Sequence, residues 1–495
     1  MLQLINSALR HPENTAILSD NQSYSYQQLL DASAAFAALL LAENTDLNEK
    51  RIAFMVTPGF DYVRVQWGVW RAGGIAVPLA LSYPLPSLQY VIDDTEAEII
   101  VVSSAYATML APLIAQKGLR LIVLGEEPTV PPVQLPTIEP ERRAMILYTS
   151  GTTSLPKGVV TTHRNLEAQI STLVAAWHWS PTDHILCVLP LHHVHGIVNV
   201  ISCALWSGAT VEFLPTFTAE SVFAAFQKGA INVFMAVPTI YFKLIAYWES
   251  LPVDQQQQLS AILKPFRLMV SGSAALPVSV MEKWKTISGH TLLERYGMTE
   301  IGMGISNPYE GERRAGHIGQ PLPGVQVRLV DEANNEVPTD QPGEIQIQGD
   351  TVFLEYWHRP EATQKAFTDD GWFRTGDIAV VEEGYYRILG RDSIDIIKSG
   401  GYKISALEIE EVLRTHPAIS DCSVVGIPNE EWGELVGAAL LVNDDSVDIT
   451  EINNWLRQQM PAYKVPRHYR VVAELPRNAM GKVTKNDLKP LFLTT

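Results

Sequence analysis

The chain has 495 residues, of which 46% are hydrophobic and 18% are charged, and its formal net charge is −17. This length allows a large core and at least two domains. The acidic balance argues against nucleic acid as the main partner, because no basic face is available to neutralise phosphates. Three widely spaced cysteines without a CxxC pair exclude a disulfide framework and suit a reducing compartment.

The N-terminal segment has none of the features of a targeting sequence. Residues 1–18 lack a cationic stretch followed by an apolar run, and Glu13 and Asp20 argue against an organelle transit peptide. The longest apolar run, near residues 197–206, is well short of the roughly 20 residues needed to cross a bilayer. We therefore expect a soluble, cytoplasmic protein with no membrane partner.

The first two thirds of the chain alternate helical and strand patterns. Ser25 and Gln28 have the spacing of a capping box and predict the start of a long helix. Residues 51–56 and 98–103 are short apolar runs, as in buried parallel strands, and LRLIVLG, HILCVLP, NVFMAVP and FRLMVSG continue the pattern. This alternation predicts an α/β fold of parallel sheets flanked by helices.

From about residue 320 the pattern becomes richer in strands. VQVRLVD and EIQIQG alternate between apolar and polar residues, which predicts antiparallel strands. Ser405 and Glu408 then predict a second capping box, and the remaining strands and helix predict a small α+β module of about 100 residues. We predict a first domain over residues 1–390 and a second domain over residues 391–495.

The segment YTSGTTSLPKGV at residues 148–159 is rich in glycine and in small hydroxyl residues, and it contains one lysine, Lys157. It does not match the common phosphate loop GxxxxGK[ST], because Gly158 follows the lysine. Backbone N–H groups and hydroxyls in such a turn nevertheless suit an anion. On composition alone, a polar connecting loop is the alternative.

This loop resembles the signature loop of the adenylate-forming superfamily, which includes acyl-CoA synthetases, luciferases and the adenylation domains of peptide synthetases. Four more segments resemble motifs of that family in its order: ERYGMTE, RTGDIA, GRDSIDIIKSGGYKIS and NAMGKVTK. The resemblance therefore covers nearly the whole chain. It implies a large N-terminal domain of mixed sheets with a β-rich subdomain, and a small, mobile C-terminal domain.

The resemblance also implies a reaction in two steps. Members of the family react a carboxylate with ATP to give an acyl-adenylate and pyrophosphate, and then transfer the acyl group to a thiol. ATP, Mg²⁺ and CoA are the implied co-substrates and metal. Glu300 would bind the Mg²⁺ and Thr299 the α-phosphate. The residues implied to hold the β- and γ-phosphates are Thr149, Ser150, Gly151, Thr152, Thr153 and Lys157.

Further residues are assigned to the nucleoside by the same resemblance. Asp377 would accept hydrogen bonds from the ribose hydroxyls, with Arg391 close by. Outside the motif, such an aspartate would be read as a turn former. Tyr296 would stack on the adenine, and an isolated tyrosine would more often belong to the core. The residues implied to line the same pocket are Gly272, Ser273 and Ala274.

The C-terminal domain is implied to rotate between the two half-reactions. One pose would present Lys482 as the catalytic lysine of adenylation. The other would present the loop containing Gly401, Tyr402 and Lys403 to CoA. Between Arg391 and the IKSGG segment the chain has one residue more than the common family spacing. The hinge therefore falls on either Ser393 or Ile394.

Arg295 directly precedes the tyrosine of the ERYGMTE segment and points to the acid that is activated. A guanidinium facing a small pocket suits a second carboxylate, although it could instead pair with Glu294 or Glu300. The surrounding sequence is similar to malonyl-CoA synthetases, which implies malonate, with methylmalonate as a second substrate. Further pocket residues implied by the resemblance are His193, Ser273 and Met298, and His193 joins Thr299, Glu300 and Lys482 among the catalytic candidates.

The three histidines at positions 192, 193 and 195 do not predict a zinc site. Two are adjacent and poorly placed to converge, and no cysteine or carboxylate cluster accompanies them. Three other functions stay open at this point. They are a CoA ligase for an aryl or medium-chain acid, a stand-alone adenylation enzyme that loads a carrier protein, and an inactive nucleotide-binding scaffold. No obligatory protein partner is predicted.

Overall fold

Four β-sheets, with helices packed on them, make up the protein. The structure is a computed structural model that describes residues 2–149, 156–214, 216–400, 402–443, 447–478 and 482–493. Over these residues the sheets contain nine, seven, four and five strands. The α/β fold with a β-rich subdomain and a small C-terminal domain, expected from the sequence, is confirmed.

The nine-stranded sheet is parallel in its centre, where short apolar strands are buried on both faces. This is the burial expected of a parallel sheet covered by helices. Its strands, in spatial order, are Gln320–Pro321, Gly302–Ser306, Leu293–Met298, Leu268–Ser271, Val233–Ala236, His184–Cys187, Thr210–Phe213, Thr15–Ser19 and Gln22–Ser25.

The seven-stranded sheet combines five parallel strands with an antiparallel edge. At that edge, Arg143–Thr149 and Lys157–Thr162 form a hairpin whose connecting segment is the predicted anion loop. The strands, in spatial order, are Glu355–Tyr356, Lys157–Thr162, Arg143–Thr149, Ile75–Pro78, Arg51–Met55, Ile99–Ser103 and Arg120–Leu124.

The two remaining sheets follow one another in the chain. The β-rich subdomain is an antiparallel sheet of Gln326–Val330, Gly343–Gln348, Phe373–Glu382 and Tyr385–Arg391. The C-terminal sheet contains Tyr402–Ser405, Ile396–Ser399, Gly433–Val442, Ile419–Asn429 and His468–Val471. A turn at residues 392–395 connects the two sheets, at the predicted domain boundary. The division into two units that move separately stays a prediction.

The helices flank these sheets, and none of those described is long and apolar enough to span a membrane. One segment, His195–Ser202, is π-helical. The α-helices are Gln3–Ala8, Tyr26–Leu41, Phe60–Arg71, Leu85–Asp94, Ser104–Lys117, His163–Ala176, Cys203–Trp206, Ala219–Gln227, Pro238–Glu249, Val253–Leu263, Val278–Ser288, Pro360–Ala366, Ala406–Leu413, Ile449–Gln459, Lys485–Leu488 and Pro490–Leu493.

One of the two predicted capping boxes is confirmed and the other is wrong. At the first, the Gln28 N–H donates to Ser25 Oγ over 3.2 Å, and the Ser25 N–H donates to Gln28 Oε1 over 2.7 Å. At the second, the Glu408 N–H donates to Ser405 Oγ, but the reciprocal bond is missing. The Glu408 carboxylate instead binds Lys464 Nζ at 2.6 and 2.7 Å, because an ammonium group competes successfully for it.

Candidate active site

Lys157 and Thr149 lie opposite each other where the hairpin opens into the predicted anion loop. The Lys157 ammonium lies 4.8 Å from the centre of the Tyr356 ring, a cation–π distance. The loop's other predicted phosphate ligands, Ser150, Gly151, Thr152 and Thr153, lie outside the described residues. The two ends of the loop are thus placed at one edge of the seven-stranded sheet.

Glu300 lies beside this edge, in the turn between two strands of the nine-stranded sheet. Its Oε1 accepts a 3.0 Å hydrogen bond from the Tyr356 hydroxyl. Burial raises the pKa of Glu300, while the charges of Arg391 and Lys157 act in the opposite direction. Thr299 and Met298 precede it and are half-buried. The carboxylate is therefore held by the same tyrosine that covers Lys157.

The sequence analysis did not identify Tyr356. It lies on a two-residue strand that pairs with the Lys157–Thr162 strand, opposite Val159. Nearly 200 residues separate the two strands in the chain, and no motif marks the tyrosine. Only the pairing of these strands brings it to the site.

The predicted ribose residues form one hydrogen-bonded cluster. The Tyr296 hydroxyl donates to Asp377 Oδ2 over 2.6 Å, and Arg391 donates to both oxygens of the same carboxylate, at 2.9 and 3.3 Å. Burial and the neighbouring carboxylate hold the pKa of Tyr296 well above its usual value. The three side chains fix one another before any nucleotide binds, and the contact of Tyr296 with adenine stays a prediction.

Both hinge candidates lie in the turn after Arg391. The Arg391 N–H donates to Asp395 Oδ2 over 3.1 Å, and its carbonyl accepts from Ile394 and Asp395 N–H groups at 3.0 and 2.7 Å. Ser393 and Ile394 both fall inside this hydrogen-bonded turn. Which of them absorbs the rotation stays a prediction.

Lys482 lies in the cleft between the C-terminal domain and the site. The charges of Arg391, Asp377 and Arg295 all act on its ammonium group. Its pKa is lowered because neighbouring protein atoms exclude water from it and Arg391 repels it, whereas the charge of Asp377 acts in the opposite direction. Lys482 therefore lies near Arg391, Asp377 and Arg295, and its role as the catalytic lysine stays a prediction.

The loop predicted to face CoA lies elsewhere. Tyr402 is 57% exposed and stacks on Tyr463 with ring centres 4.6 Å apart. The Lys403 ammonium binds Glu332 over 2.7 Å, on the surface of the β-rich subdomain. Gly401 lies outside the described residues. The described arrangement thus presents Lys482 and keeps Tyr402 and Lys403 away from the site.

Arg295 lies at the predicted acyl end of the cleft and is only 2% exposed. One guanidinium nitrogen donates to Ser273 Oγ over 3.3 Å, whereas its Nε has no hydrogen-bond partner among the residues that the structure describes. A Cβ on Gly272 would lie 2.6 Å from Arg295 Cζ, so only glycine leaves room for the guanidinium. Ser273 has a φ of +69°, a strained value for a residue with a side chain. Half-buried Ala274 follows it.

Neither of the two alternative partners forms an ion pair with Arg295 among the described residues. Glu294 Oε1 accepts a 3.0 Å hydrogen bond from the Leu276 N–H, and burial raises the pKa of Glu294 to about 8. Glu300 is bound to Tyr356. Over the described part of the chain, no carboxylate forms an ion pair with Arg295. Burial lowers the pKa of Arg295 to about 9, although the charge of Glu294 acts in the opposite direction, because a buried cation without an ion pair is costly.

Neutral His195 lies near this guanidinium, and His193 lies near His195. His195 Nδ1 lies 3.1 Å from Ser273 Oγ, and burial together with the charge of Arg295 holds the pKa of His195 well below its usual value. Burial, His192 and Lys482 lower the pKa of His193 to about 3. From the sequence, His195 was predicted not to be a zinc ligand, and it was placed only within the segment 190–196 that the resemblance assigns to the acyl pocket. Among the described residues, no three His, Cys, Asp or Glu side chains are grouped as a metal site.

Residues 4–357 match the model of the AMP-binding enzyme family, and residues 408–482 match the model of the AMP-binding enzyme C-terminal domain. The chain belongs to the AMP-binding enzyme family. The mitochondrial malonate–CoA ligase ACSF3 of Mus musculus is 43% identical over an alignment of 519 positions, which covers 97% of this chain and 89% of the mouse protein.

Two solved structures of MatB from Rhodopseudomonas palustris, each 31% identical, resemble the chain to different extents. The ATP-bound structure has a TM-score of 0.90 and covers 100% of this chain and 99% of MatB. The apo structure has a TM-score of 0.81 and covers 99% of each. The arrangement of this enzyme is therefore closer to that of the ATP-bound structure.

Proposed function

We propose that the chain is an ATP-dependent malonate–CoA ligase. One carboxylate of malonate attacks the α-phosphorus of ATP and pyrophosphate leaves. The thiol of CoA then attacks the acyl carbon of malonyl-adenylate, and malonyl-CoA and AMP are released. Methylmalonate is the proposed second substrate. The names of the relatives and the family of the chain support the ligase reaction, and the acyl end of the cleft supports the choice of acid.

The observation that carries this choice is the buried, unpaired guanidinium of Arg295. A dianionic acid presents one carboxylate to ATP and a second one to this cation. Bidentate binding would satisfy the Nε that now lacks a partner. The nearby histidines are neutral, so they add polar contacts without a competing charge. A monocarboxylic acid would leave the guanidinium buried and unpaired.

The phosphate end fits Mg²⁺ that is held mainly by the nucleotide. Mg²⁺ prefers oxygen ligands and is usually bound through one or two carboxylates together with substrate phosphates and water. Glu300 supplies one such carboxylate, beside the cation of Lys157 and below the Tyr356 hydroxyl. When bound, the metal would neutralise charge on the phosphates. Lys157 would add its own positive charge as pyrophosphate leaves.

The test is AMP formation that depends on ATP and CoA, measured with malonate, methylmalonate, succinate, acetate, octanoate and coumarate. The intact chain is compared with Arg295→Ala. We expect a strong preference for malonate that is lost with Arg295. Turnover of monocarboxylic acids that survives the substitution would keep the adenylation chemistry and contradict the malonate assignment.

The location of the enzyme is a separate question. The cytoplasmic location expected from the sequence stays a prediction, and the mouse relative carries the word mitochondrial in its name. Fractionation of cells that express the full chain, with malonate-dependent AMP formation measured in each fraction, would check it.

A further inference from the structure

Lys485 is a buried lysine that the adenylation chemistry does not use. It is 8% exposed and lies three residues after Lys482. Its ammonium nitrogen is 2.7 Å from Asp395 Oδ1 and 2.7 Å from Glu410 Oε1. Burial alone would lower the pKa of Lys485, but the two carboxylates together raise it, so the group is charged at physiological pH. A buried cation between two carboxylates is a fixed link between the segments that carry them.

Asp395 connects this link to the nucleotide end of the cleft. Its second oxygen, Oδ2, accepts the Arg391 N–H over 3.1 Å and closes the turn at residues 392–395. The Arg391 side chain in turn binds Asp377 through Nε over 2.9 Å. Polar contacts therefore run without a gap from Lys485, through Asp395 and Arg391, to the predicted ribose ligand.

Glu410 holds the other side of Lys485. It lies on the helix Ala406–Leu413 and is only 3% exposed. Its Oε1 also accepts a 2.8 Å hydrogen bond from the Val424 N–H, on a strand of the C-terminal sheet. Lys485 is thus fixed between the rigid body of the C-terminal domain and the turn that leads into it.

We propose that Asp395 and Lys485 are positioning residues for adenylation. Their ion pair anchors the segment that carries Lys482 to the turn that carries Arg391, and this sets the reach of the Lys482 ammonium into the cleft. Neither residue contacts the reacting atoms. The inference rests on the proposed function, since it assigns Lys482 to the first half-reaction. The competing explanation is a link that only stabilises the C-terminal domain.

The two half-reactions separate these explanations. The first is measured as malonate-dependent exchange of pyrophosphate into ATP, and the second as release of AMP from supplied malonyl-adenylate and CoA. For Lys485→Met and for Asp395→Asn we expect kcat of the first step to fall about 10- to 100-fold, because small misplacements of a catalytic group are costly. KM values and the second step should stay near those of the intact chain, and Lys485→Arg should restore most of the lost rate.

Lys464→Met is the matched control. It removes another lysine of the same domain, which is bound to Glu408 on the same helix as Glu410 but does not contact Asp395. We expect both half-reactions of this variant to stay close to those of the intact chain. A comparable loss of pyrophosphate exchange in Lys464→Met would show that any weakened ion pair in this domain has the effect, and would contradict the proposal.

A second measurement does not need activity. Because Asp395 accepts the Arg391 N–H, we expect faster hydrogen–deuterium exchange at residue 391 in Lys485→Met than in the intact chain or in Lys464→Met. Unchanged exchange at residue 391, or equal loss of both half-reactions with a lower Tm, would overturn the proposal. If the intact chain activates another acid, the malonate assignment fails and that acid is used in the same comparison. If the intact chain activates no acid, the proposed function fails. Hydrogen–deuterium exchange at residue 391 then still tests whether Lys485 anchors the turn.

Discussion

The nucleotide end and the acyl end of the cleft are built in opposite ways. At the nucleotide end, Tyr296, Asp377 and Arg391 satisfy one another through hydrogen bonds of 2.6 to 3.3 Å. At the acyl end, the buried guanidinium of Arg295 has a hydrogen bond of 3.3 Å to Ser273 and leaves its Nε without a partner. The residues of the first end satisfy one another, whereas no described carboxylate forms an ion pair with the cation at the second end.

This difference suggests that the first end provides a preformed binding site, whereas the second end selects among acids. A cluster whose polar groups are all hydrogen-bonded keeps its shape whether or not ATP is present. It therefore costs the substrate-free protein little stability. A buried cation without a carboxylate destabilises the substrate-free protein. A ligand gains binding free energy from this cation only if it brings a negative charge to pair with it. A site of this kind rejects analogues that lack the matching group far more strongly than an apolar pocket can.

The largest effect is expected when the unpaired cation is removed. Arg295→Met should lower kcat/KM for malonate about 10²- to 10³-fold, because the ligand's second carboxylate is then buried without its partner. The same substitution should raise the stability of the substrate-free protein by about 1–3 kcal/mol, since an apolar side chain avoids the cost of burying the charge. Steady-state kinetics and thermal unfolding check the two parts. A lower Tm would contradict the contrast between the two ends.

The matching change at the nucleotide end should act differently. Asp377→Ala leaves Arg391 and the Tyr296 hydroxyl without their acceptor, so the free energy of unfolding should fall by about 1–3 kcal/mol. We expect kcat/KM for ATP to fall about 10²-fold, because the ribose would lose a charged hydrogen-bond acceptor. Loss of activity with no loss of stability would show that the cluster is not prebuilt as described.

A smaller effect should follow from crowding the guanidinium without removing it. In Gly272→Ala the new methyl group would lie 2.6 Å from Arg295 Cζ, and the guanidinium must move. We expect KM for malonate to rise about tenfold, within the range known for small misplacements of binding groups. KM for acetate, which has no second carboxylate, provides the internal control. An equal rise for both acids would mean that the substitution disturbs the whole pocket.

The last effect concerns Glu294, the neighbour of Arg295, and it is an effect on stability alone. Burial raises its pKa to about 8 from an ordinary value of 4.5, so between these pH values the folded chain holds a proton that the unfolded chain has lost. Stability contributed by this group is therefore lost as pH rises through that window, by up to about 1.4 kcal/mol per pH unit. Glu294→Gln removes the titration, and its Tm advantage over the intact chain should grow from pH 5 to pH 8. A constant difference would contradict the raised pKa.

Much of the fold was predictable because its strands are short apolar runs that can be recognised in the sequence. The segments HILCVLP, NVFMAVP and FRLMVSG became neighbouring parallel strands, and VQVRLVD paired with EIQIQG in antiparallel register. The second capping box was predicted wrongly, because the spacing of Ser405 and Glu408 cannot show that Lys464 competes for the carboxylate. Such competition depends on residues distant in the sequence.

The site was predictable only where motifs carry it. Asp377, Arg391 and Lys482 were found by resemblance, and the structure places them together. Tyr356 was missed because a strand pairing across the chain brings it to Glu300. The role of Lys485 was missed because a lysine near the C-terminus usually lies on the surface, and only the fold shows two carboxylates around it. The sequence also left open whether Arg295 pairs with Glu294, and only the structure could answer that question.

The most direct test of the unpaired cation compares malonate with its monomethyl ester in pyrophosphate exchange. The ester keeps the reacting carboxylate and the carbon skeleton but masks the second charge. We predict that the intact chain prefers malonate by about 10²- to 10³-fold and that Arg295→Met brings the two rates within about tenfold of each other. A preference that persists unchanged in Arg295→Met would show that another group reads the second carboxylate, and would contradict the role assigned to Arg295.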